Sequence, residues 1–325
     1  MLIHRVRLFI KEQNLLQPHS TLIVGLSGGP DSVFLLHALK ALQEEYSLTL
    51  IVAHLDHQWR PDSHKDALFC QQLARDLALS CIVQTASEMP IAKKPTGSQE
   101  ALGRQLRRAF FEQLAHEYSA QAIALAHHAD DQQETFFIRL LRGATISGLA
   151  SIRPSHNNYI RPLLSITKEE ILAYLHEHAL DYLVDPTNKH NTYLRNKIRN
   201  QIVPLLKLAD CRFEKNCIKT IAHIQETDNF LNRLTSTTFS AITHTDNSTV
   251  ILNIPAFLAC DEFLQPRLLL MWLCSMKVPF NPSTGLFNEI ISFLKHTTSG
   301  THTLYGSWSI IKKKNNAFIT IKARV

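Results

Sequence analysis

The feature that most constrains the fold is a short apolar run, residues 22–26, that leads directly into a glycine-rich turn and then a helix. Similar apolar runs recur along the chain and alternate with helical patterns, which is typical of βαβ units on a parallel sheet. We therefore predict an α/β fold with a doubly wound, mostly parallel, Rossmann-like sheet. The strand-like runs are residues 21–26, 48–54, 80–85 and 122–126, and the helical patterns between them are 31–43, 61–79 and 98–118.

The pattern changes after about residue 165, where helices dominate until two strand-like segments end the chain. A length of 325 residues suits about two domains. We predict a catalytic domain over 1–210 and a smaller, mainly helical domain over 211–325 with a terminal β-hairpin. The later helical patterns are 166–179, 191–207, 213–235 and 263–276, and the strand-like segments are 303–311 and 317–323.

Composition excludes several classes of protein. A hydrophobic share of 45% is too high for a largely disordered chain. The six cysteines include no C-x-x-C pair, which argues against a zinc ribbon and a thioredoxin-type redox site. No apolar run approaches the roughly 20 residues of a membrane helix, and the first residues lack the apolar core of a secretion signal. We predict a soluble protein of the cytoplasm.

The turn after the first strand-like run reads Ser-Gly-Gly-Pro-Asp-Ser. Adjacent glycines let the backbone approach a ligand, and the N-terminus of the following helix offers free N–H groups to a phosphate. It is neither a Walker loop nor G-x-G-x-x-G. An ordinary tight turn is the alternative. The predicted nucleotide-binding residues are Ser27, Gly28, Gly29, Pro30, Asp31 and Ser32, with Asp31 suited to a magnesium ion on the phosphates.

A second polar cluster follows the fourth strand-like run. It contains His127, His128, Asp130, Asp131 and Glu134. Carboxylates three and four residues apart lie on one helical face. They could bind magnesium, hold an amine or remove a proton from one. Acidic residues also favour a helix N-terminus, so capping is the alternative.

The second strand-like run ends in another polar block, which begins at His54 and includes Asp56 and His57. These side chains are expected on the ligand side of a parallel sheet. A polar loop that caps the next helix is an equally good interpretation. Gly103 lies inside a predicted helix, at a small cost in helix stability.

Basic residues are unevenly placed, although the net charge is only +6. Residues 135–168 contain five cations and no acid, and six cations follow Glu289 with no acid among them. Such stretches are solvated surfaces or surfaces that bind a phosphate backbone. The cations that we single out as candidates for binding phosphate are Arg104, Arg107, Arg195, Arg199, Lys312, Lys313 and Lys314.

The Ser-Gly-Gly-Pro-Asp-Ser turn resembles the PP loop of N-type ATP pyrophosphatases, which split ATP between its α and β phosphates. Further blocks, in order and spacing, resemble the family of bacterial tRNA(Ile)-lysidine synthases. These blocks are His54-Leu-Asp-His-Gln-Trp-Arg-Pro, Glu100-Ala-Leu-Gly-Arg-Gln-Leu-Arg, His127-His-Ala-Asp-Asp-Gln-Gln-Glu-Thr, Arg139-Leu-Leu-Arg-Gly, Arg161-Pro-Leu-Leu, Asp185-Pro-Thr-Asn and Leu194-Arg-Asn-Lys-Ile-Arg.

The resemblance implies an ATP- and Mg²⁺-dependent ligase that joins L-lysine to the wobble cytidine of tRNA(Ile) with a CAU anticodon. It implies ATP binding at the PP loop. It places the lysine ammonium on Asp131 and Glu134, with Asp56 as a third carboxylate. The implied cationic roles are charge stabilisation on the adenylate or phosphates by His127 and Arg104 or Arg107, and contact with phosphate or tRNA by Arg195, Arg199, Lys312, Lys313 and Lys314.

Longer members of the family carry another C-terminal domain, so the resemblance implies a short form. A homodimer is left open. The alternatives are another PP-loop enzyme such as a tRNA thiolase or an amidotransferase synthetase, a metal-dependent phosphoesterase, and a tRNA-binding module without activity. Dependence of AMP release on lysine would separate them.

Overall fold

A computed structural model describes residues 1–89, 99–184 and 194–321, and the chain divides into two compact units, 1–225 and 226–325. The first unit alternates strands and helices. Its elements are α1 (Leu2–Glu12), β1 (Thr21–Gly25), α2 (Pro30–Ala41), β2 (Thr49–Asp56), α3 (Ser63–Asp76), β3 (Ser80–Thr85), α4 (Gln99–Glu117), β4 (Ala122–Ala124), α5 (Ala129–Leu141), α6 (Ile146–Leu149), β5 (Ser155–His156), β6 (Tyr159–Ile160), α7 (Lys168–Glu177), α8 (Leu194–Lys197) and α9 (Val203–Ala209).

The first unit is built on a six-stranded sheet of order β3-β2-β1-β4-β6-β5. All its pairings are parallel except that of β5 with β6. The chain moves outward from β1 to β3 on one side and continues at β4 on the other. The carboxyl ends of β1 and β4 therefore flank a topological switch point, which is where open α/β sheets bind ligands.

The sheet and α2 are buried on both sides. Leu22, Ile23 and Val24 of β1 have no exposed surface, and Phe34 and Leu35 of α2 are equally enclosed. A strand covered on both faces reads as a continuous apolar run, which is why the sequence indicates β1 so clearly. The predicted α/β class with a mostly parallel sheet is confirmed.

The second unit contains a five-stranded antiparallel sheet of order β7-β8-β11-β10-β9. Its core includes Phe257, Leu269 and Trp272. The helix α10 (Phe213–Ile242) contains the border between the units. The remaining elements are β7 (Thr243–Asp246), β8 (Thr249–Asn253), α11 (Ile254–Leu258), α12 (Gln265–Ser275), α13 (Thr284–Lys295), β9 (Gly300–Thr303), β10 (Trp308–Lys313) and β11 (Asn316–Ile321).

Sequence patterning found the hairpin β10–β11 but not the three other strands of this sheet. The strands β7 and β9 read Thr-His-Thr-Asp and Gly-Thr-His-Thr, so neither has an apolar face to reveal it. The domain border at 210/211 stays a prediction. No helix in the described part of the chain is long and apolar enough to cross a bilayer.

Candidate functional site

The turn after β1 is closed by its own hydroxyl groups. Ser32 donates from Oγ to the Gly29 carbonyl at 2.9 Å, and its Oγ accepts from the Ser27 N–H at 3.1 Å. The two serine hydroxyls are 3.1 Å apart. Pro30 begins α2 without an N–H of its own, which suits the first turn of a helix. The turn therefore holds the N-terminus of α2 open toward a ligand, as expected for a phosphate loop.

Gly28 shows why this turn needs a glycine. Its φ is +81°, and a Cβ there would lie 2.6 Å from Cδ1 of Leu183. The Leu183 N–H donates to the Gly28 carbonyl at 2.9 Å. Backbone conformation and close packing both exclude a side chain at this position.

His54, near the end of β2, contacts the residue that precedes the turn. It is buried, and its Nδ1 lies 2.9 Å from the carbonyl oxygen of Leu26, immediately before the turn. Cys70 Sγ lies 3.3 Å from the same nitrogen. Burial raises the pKa of the Cys70 thiol, so this cysteine remains protonated and is a poor nucleophile.

The N-terminus of α5 gathers carboxylates around His128. This buried imidazole lies 3.2 Å from Asp130 through Nδ1, and its Nε2 lies 3.5 Å from Asp131 and 3.7 Å from Asp31. Burial disfavours the charged ring, but the hydrogen bond to Asp130 and the charges of Asp131 and Asp31 outweigh it and raise the pKa of His128. His128 thus joins the PP loop to the acidic cluster.

Asp131 and Glu134 are bound by two arginines from distant parts of the chain. Arg195 donates from Nε to Glu134 at 2.6 Å and from Nη2 to Asp131 at 2.8 Å. Arg199 donates from Nη2 to Glu134 at 3.1 Å. Glu134 is only 1% exposed. The two acids therefore lie in a recess below the surface. This recess already holds the guanidinium groups of the two arginines.

This arrangement differs from the predicted role of Arg195 and Arg199 as phosphate or tRNA contacts. Both guanidinium groups instead neutralise the acids. The reason is burial, because a carboxyl group as enclosed as that of Glu134 requires hydrogen-bonded partners, and the two arginines supply them. The separation of more than 60 residues left no local signal for the pairing.

Asp31 is held by a residue that sequence analysis counted but gave no role. Lys168 donates from Nζ to Asp31 Oδ1 at 2.6 Å, and the Lys168 N–H donates to Asp130 at 2.9 Å. Both side chains of the ion pair are about one-third exposed. The start of α7 therefore connects the PP loop with the acids of α5. A signal was available, since Lys168 closes the acid-free stretch 135–168.

His127 lies among both an acid and several arginines. Burial lowers its pKa to about 4, and of its charged neighbours Asp131 opposes this while Arg161, Arg195 and Arg104 add to it. Its Nδ1 is buried and has no hydrogen-bond partner in the described part of the chain. His127 is therefore a neutral imidazole with a nitrogen directed at no protein group.

The block after β2 forms an aromatic pair against α4. The rings of His57 and Trp59 stack at 4.5 Å, and a Cβ on Gly103 would lie 2.5 Å from the Trp59 ring. The unexpected helical glycine is thereby explained. Asp56 Oδ1 accepts from the Gln58 N–H at 2.8 Å. The role of Asp56 as a third carboxylate for the lysine ammonium stays a prediction.

The cations predicted for phosphate contact have different surroundings. Arg104 and Arg107 are exposed on α4. Lys312, by contrast, is 4% exposed, and its Nζ donates to the Leu294 carbonyl at 2.8 Å and also to that of His296. Lys312 is therefore not exposed, as the predicted solvated or phosphate-binding surface would require. Lys312 lies two residues after the buried Ile310, on the same face of β10, whereas Lys313 and Lys314 are exposed.

The structure thus brings Asp31 of α2 close to Asp131 and Glu134 of α5. His127 lies in the loop between β4 and α5, near Asp131. The predicted magnesium position at Asp31 fits an ion held by one carboxylate and substrate phosphates. Among described residues no cluster of three metal-binding side chains exists. The Asp185-Pro-Thr-Asn block lies outside the described residues.

Comparisons with known proteins show the family to which the chain belongs. A family model for the PP-loop domain matches residues 2–206. The tRNA(Ile)-lysidine synthase of Bacillus cereus is 36% identical over 320 residues, covering 95% of this chain and 67% of that protein. The protein of the same name from Bacillus subtilis is 37% identical over 268 residues, covering 81% and 57%.

A solved structure has the same type of fold. The U34-tRNA thiolase NcsA from Methanococcus maripaludis, solved with its [4Fe-4S] cluster, aligns with a TM-score of 0.59. The alignment covers 69% of this chain and 78% of that one. Since the two sequences are only 15% identical, the likeness concerns the fold alone.

Proposed function

The chain belongs to the tRNA(Ile)-lysidine synthase family of PP-loop proteins, and from this premise we propose that it ligates L-lysine to the wobble cytidine of tRNA(Ile) with a CAU anticodon. ATP is the energy source, and AMP and diphosphate are the products. The observation that carries the proposal is the recess of Asp131 and Glu134, since its two carboxylates attract cations and now accept hydrogen bonds from Arg195.

The first step is the activation of the base. The C2 oxygen of cytosine is a poor leaving group, and its attack on the α phosphorus of ATP makes a bond to AMP while diphosphate leaves. The PP loop and the N-terminus of α2 would bind the departing diphosphate through backbone N–H groups. Mg²⁺, held by Asp31 and phosphate oxygens, would neutralise part of the charge on ATP.

Lys168 is positioned to contribute to this step. Its ammonium group lies 2.6 Å from Asp31, at the edge of the loop that would receive the phosphates. A lysine there supplies a positive charge to phosphate oxygens without needing a fixed geometry.

The second step joins the amine to the base. The lysine ε-amine attacks C2, the bond from C2 to the AMP-bearing oxygen breaks, and a proton leaves the nitrogen. Asp131 and Glu134 would hold the ammonium form and orient it before it loses a proton. Asp131 is suited to this role because, although burial acts to raise its pKa, the positive charges of His128 and Arg195 hold that pKa below its ordinary value.

The lysine ammonium can bind in this recess only if the arginines give up some of their hydrogen bonds to the two acids. Arg195 and Arg199 occupy the two carboxylates in the present arrangement. An incoming ammonium would take part of their hydrogen bonds, and the freed guanidinium groups would be available to phosphate. This reconciles the observed ion pairs with the predicted phosphate contacts of the same two residues.

The test is the release of AMP and diphosphate from ATP with the CAU transcript, with and without L-lysine. We expect lysine to appear in the tRNA with one AMP released for each lysine bound. AMP release with no lysine in the RNA would favour a sister enzyme of the PP-loop class. The absence of AMP under all conditions would favour a tRNA-binding module and contradict the proposal. A homodimer and a cytoplasmic location stay predictions.

A further inference from the structure

Trp59 is a half-exposed aromatic residue in the loop that follows β2. Its ring stacks on that of His57, with the ring centroids 4.5 Å apart and the ring planes at 18° to each other. Trp59 is nonetheless 47% exposed. Because His57 covers one face of the indole, the exposed surface belongs to the opposite face and the remaining rim. A single exposed apolar side chain needs no explanation, so the surroundings of Trp59 decide whether it serves a ligand.

The residues on both sides of Trp59 are fixed by side-chain contacts. The Oε1 atom of Gln58 accepts a hydrogen bond from the Ser87 N–H at 3.3 Å. On the other side, Arg60 donates from Nη2 to Asp66 of α3 at 2.5 Å. The loop therefore holds the indole in one place before any ligand arrives. A side chain that is ordered in advance loses little conformational entropy on binding.

Gly103 of α4 makes the space that the indole occupies. A Cβ at this position would lie 2.5 Å from Cη2 of Trp59 and 2.6 Å from Cζ2. Glycine inside a helix is less favourable than alanine. The helix thus gives up some stability at the point where the ring of Trp59 lies against its backbone.

The position of Gly103 along α4 places Trp59 at the ligand side of the sheet. Because β3 and β4 are parallel, the helix between them runs back across the sheet and begins beside the carboxyl edge. A Cβ on Gly25, the last residue of β1, would lie 3.0 Å from the ring of Phe111. Gly103 comes eight residues before Phe111 on the helix, which is a distance of about 12 Å. Trp59 therefore lies beyond the strand ends, on the side where the PP loop and the acids of α5 also lie.

The strand register gives the spacing between the loop of Trp59 and the loop that leads to the acids. Both β2 and β4 pair with β1, and Ala53 and Ala124 lie opposite the last two residues of β1. The ends of β2 and β4 are thus two strand spacings apart, which is about 10 Å. Neighbouring nucleotides of one single strand can span such a distance. A nucleotide that binds at the acidic recess therefore brings its neighbour within reach of Trp59.

We propose that Trp59, supported by His57, stacks on an unpaired base next to the target cytidine. The inference rests on the proposed function, which brings a single-stranded anticodon loop to this edge of the sheet. Unpaired bases that are turned out of a loop commonly stack on aromatic side chains. Burial lowers the pKa of His57 to about 4, so the stacked pair is uncharged at neutral pH. Its contribution to RNA binding should therefore not depend on salt, in contrast to that of phosphate contacts.

The test uses three variants of this contact and one control. Trp59→Leu keeps an apolar side chain but removes the aromatic face, whereas Trp59→Phe keeps an aromatic ring. Gly103→Ala displaces the indole and improves helix propensity, so a loss of binding would not reflect a weaker helix. The control is Tyr118→Leu, because Tyr118 is an aromatic residue with 42% exposure just beyond the other end of α4.

The probes separate an RNA base from the adenine of ATP. They are the CAU transcript, titrated at several salt concentrations, and two transcripts that lack the base on the 5′ or the 3′ side of the target cytidine. The third probe is ATP with Mg²⁺ in the absence of RNA. Thermal unfolding midpoints no lower than that of the unmodified protein would show that each variant folds.

We expect Trp59→Leu and Gly103→Ala to weaken binding of the intact transcript about tenfold, within the range for one base stacked on an aromatic ring. The salt slope and ATP binding should stay unchanged. Trp59→Phe and Tyr118→Leu should bind the transcript within about twofold of the unmodified protein. With one of the two abasic transcripts the effect of Trp59→Leu should vanish, which identifies the stacked base.

Unchanged transcript binding by Trp59→Leu would overturn the proposal, and so would an equal loss with the intact and both abasic transcripts. A loss confined to ATP would assign the ring to adenine and overturn an RNA base as its occupant. These measurements do not depend on turnover. Failure of the proposed function would appear as unmodified protein that binds the transcript through Trp59 but transfers no lysine. Failure of the stacking contact alone would appear as normal lysine transfer with transcript binding that no substitution of Trp59 changes.

Discussion

His127 and His128 are neighbours in the chain and both lie near Asp131, yet only His127 also has arginines among the charges that act on it. His128 faces the carboxylates of Asp31, Asp130 and Asp131, which raise its pKa against the effect of burial. Burial lowers the pKa of His127 to about 4, and Arg161 is among the cations that reinforce the effect. A change of charge environment therefore occurs between two consecutive residues of the loop that follows β4.

The comparison shows how one strand end can serve two unlike ligands. A reaction that joins an amine to a nucleic acid needs an acidic surface for the ammonium and a basic surface for phosphates. Their separation prevents the acids from repelling the RNA and the arginines from repelling the amine. We infer that α5 begins at the boundary between the two surfaces, with the PP loop facing both.

Removal of one acid is expected to break the acidic surface most severely. Glu134→Gln keeps the shape of the side chain but leaves Arg195 and Arg199 with a neutral partner. Removal of one partner from a buried, hydrogen-bonded charge pair in a binding site costs about 2–5 kcal/mol of binding free energy. We therefore predict a fall of about 100- to 1000-fold in kcat/KM for lysine, measured by incorporation of labelled lysine into the transcript.

ATP binding by Glu134→Gln provides the control, because the PP loop has its own donors. It should stay within about twofold of the unmodified protein. Near-normal lysine incorporation by a folded Glu134→Gln variant would refute the assignment of the recess to the amine.

The pH dependence of stability is the next largest effect, and it separates the two histidines. His127 has a folded pKa of about 4 and an unfolded pKa near 6.5, so the unfolded chain binds a proton first as the pH falls. We predict that its contribution to the free energy of unfolding decreases by about 3 kcal/mol from pH 6.5 to 4. His127→Asn should remove this part of the decrease in urea titrations.

His128 should show the opposite dependence. Its folded pKa lies above the unfolded value, so its stabilising effect is complete below pH 6.5 and is lost as the pH rises through the folded pKa. The difference in unfolding free energy between the unmodified protein and His128→Asn should therefore shrink with rising pH. Parallel curves for the two histidine variants would contradict the charge boundary.

A smaller effect concerns the lysines of the second unit. Lys312→Met removes a buried ammonium group that donates to the carbonyls at the end of α13. We predict a loss of about 1–3 kcal/mol in the stability of this unit with little direct effect on RNA contact. The substitutions Lys313→Ala and Lys314→Ala should instead weaken binding of the transcript a few-fold and leave the stability of the unit unchanged. Equal behaviour of all three lysines would show that they form one surface.

Local sequence signals predicted both strand ends of the site. The PP loop follows from an apolar run, adjacent glycines and a helix start, which are all features of consecutive residues. The acids of α5 follow from helical spacing. In both cases one element supplies the whole pattern, so periodicity and turn chemistry suffice.

The partners of those residues could not be predicted in the same way. Arg195 and Glu134 are separated by 61 residues, and Lys168 and Asp31 by 137. Only the folded chain decides which cation neutralises which acid. Lys312 is a different case. Its position two residues after Ile310 on one strand already indicated a buried side chain, but the run of three lysines favoured an exposed surface instead.

The most direct test of the charge boundary measures two constants for two variants side by side. They are the KM for lysine and the dissociation constant for the CAU transcript, in Glu134→Gln and Arg104→Gln. We predict crossed effects, in which Glu134→Gln raises the lysine KM without weakening transcript binding, while Arg104→Gln weakens transcript binding and leaves the lysine KM unchanged. If both variants change the same constant to the same extent, the two surfaces are not separate and the account is wrong.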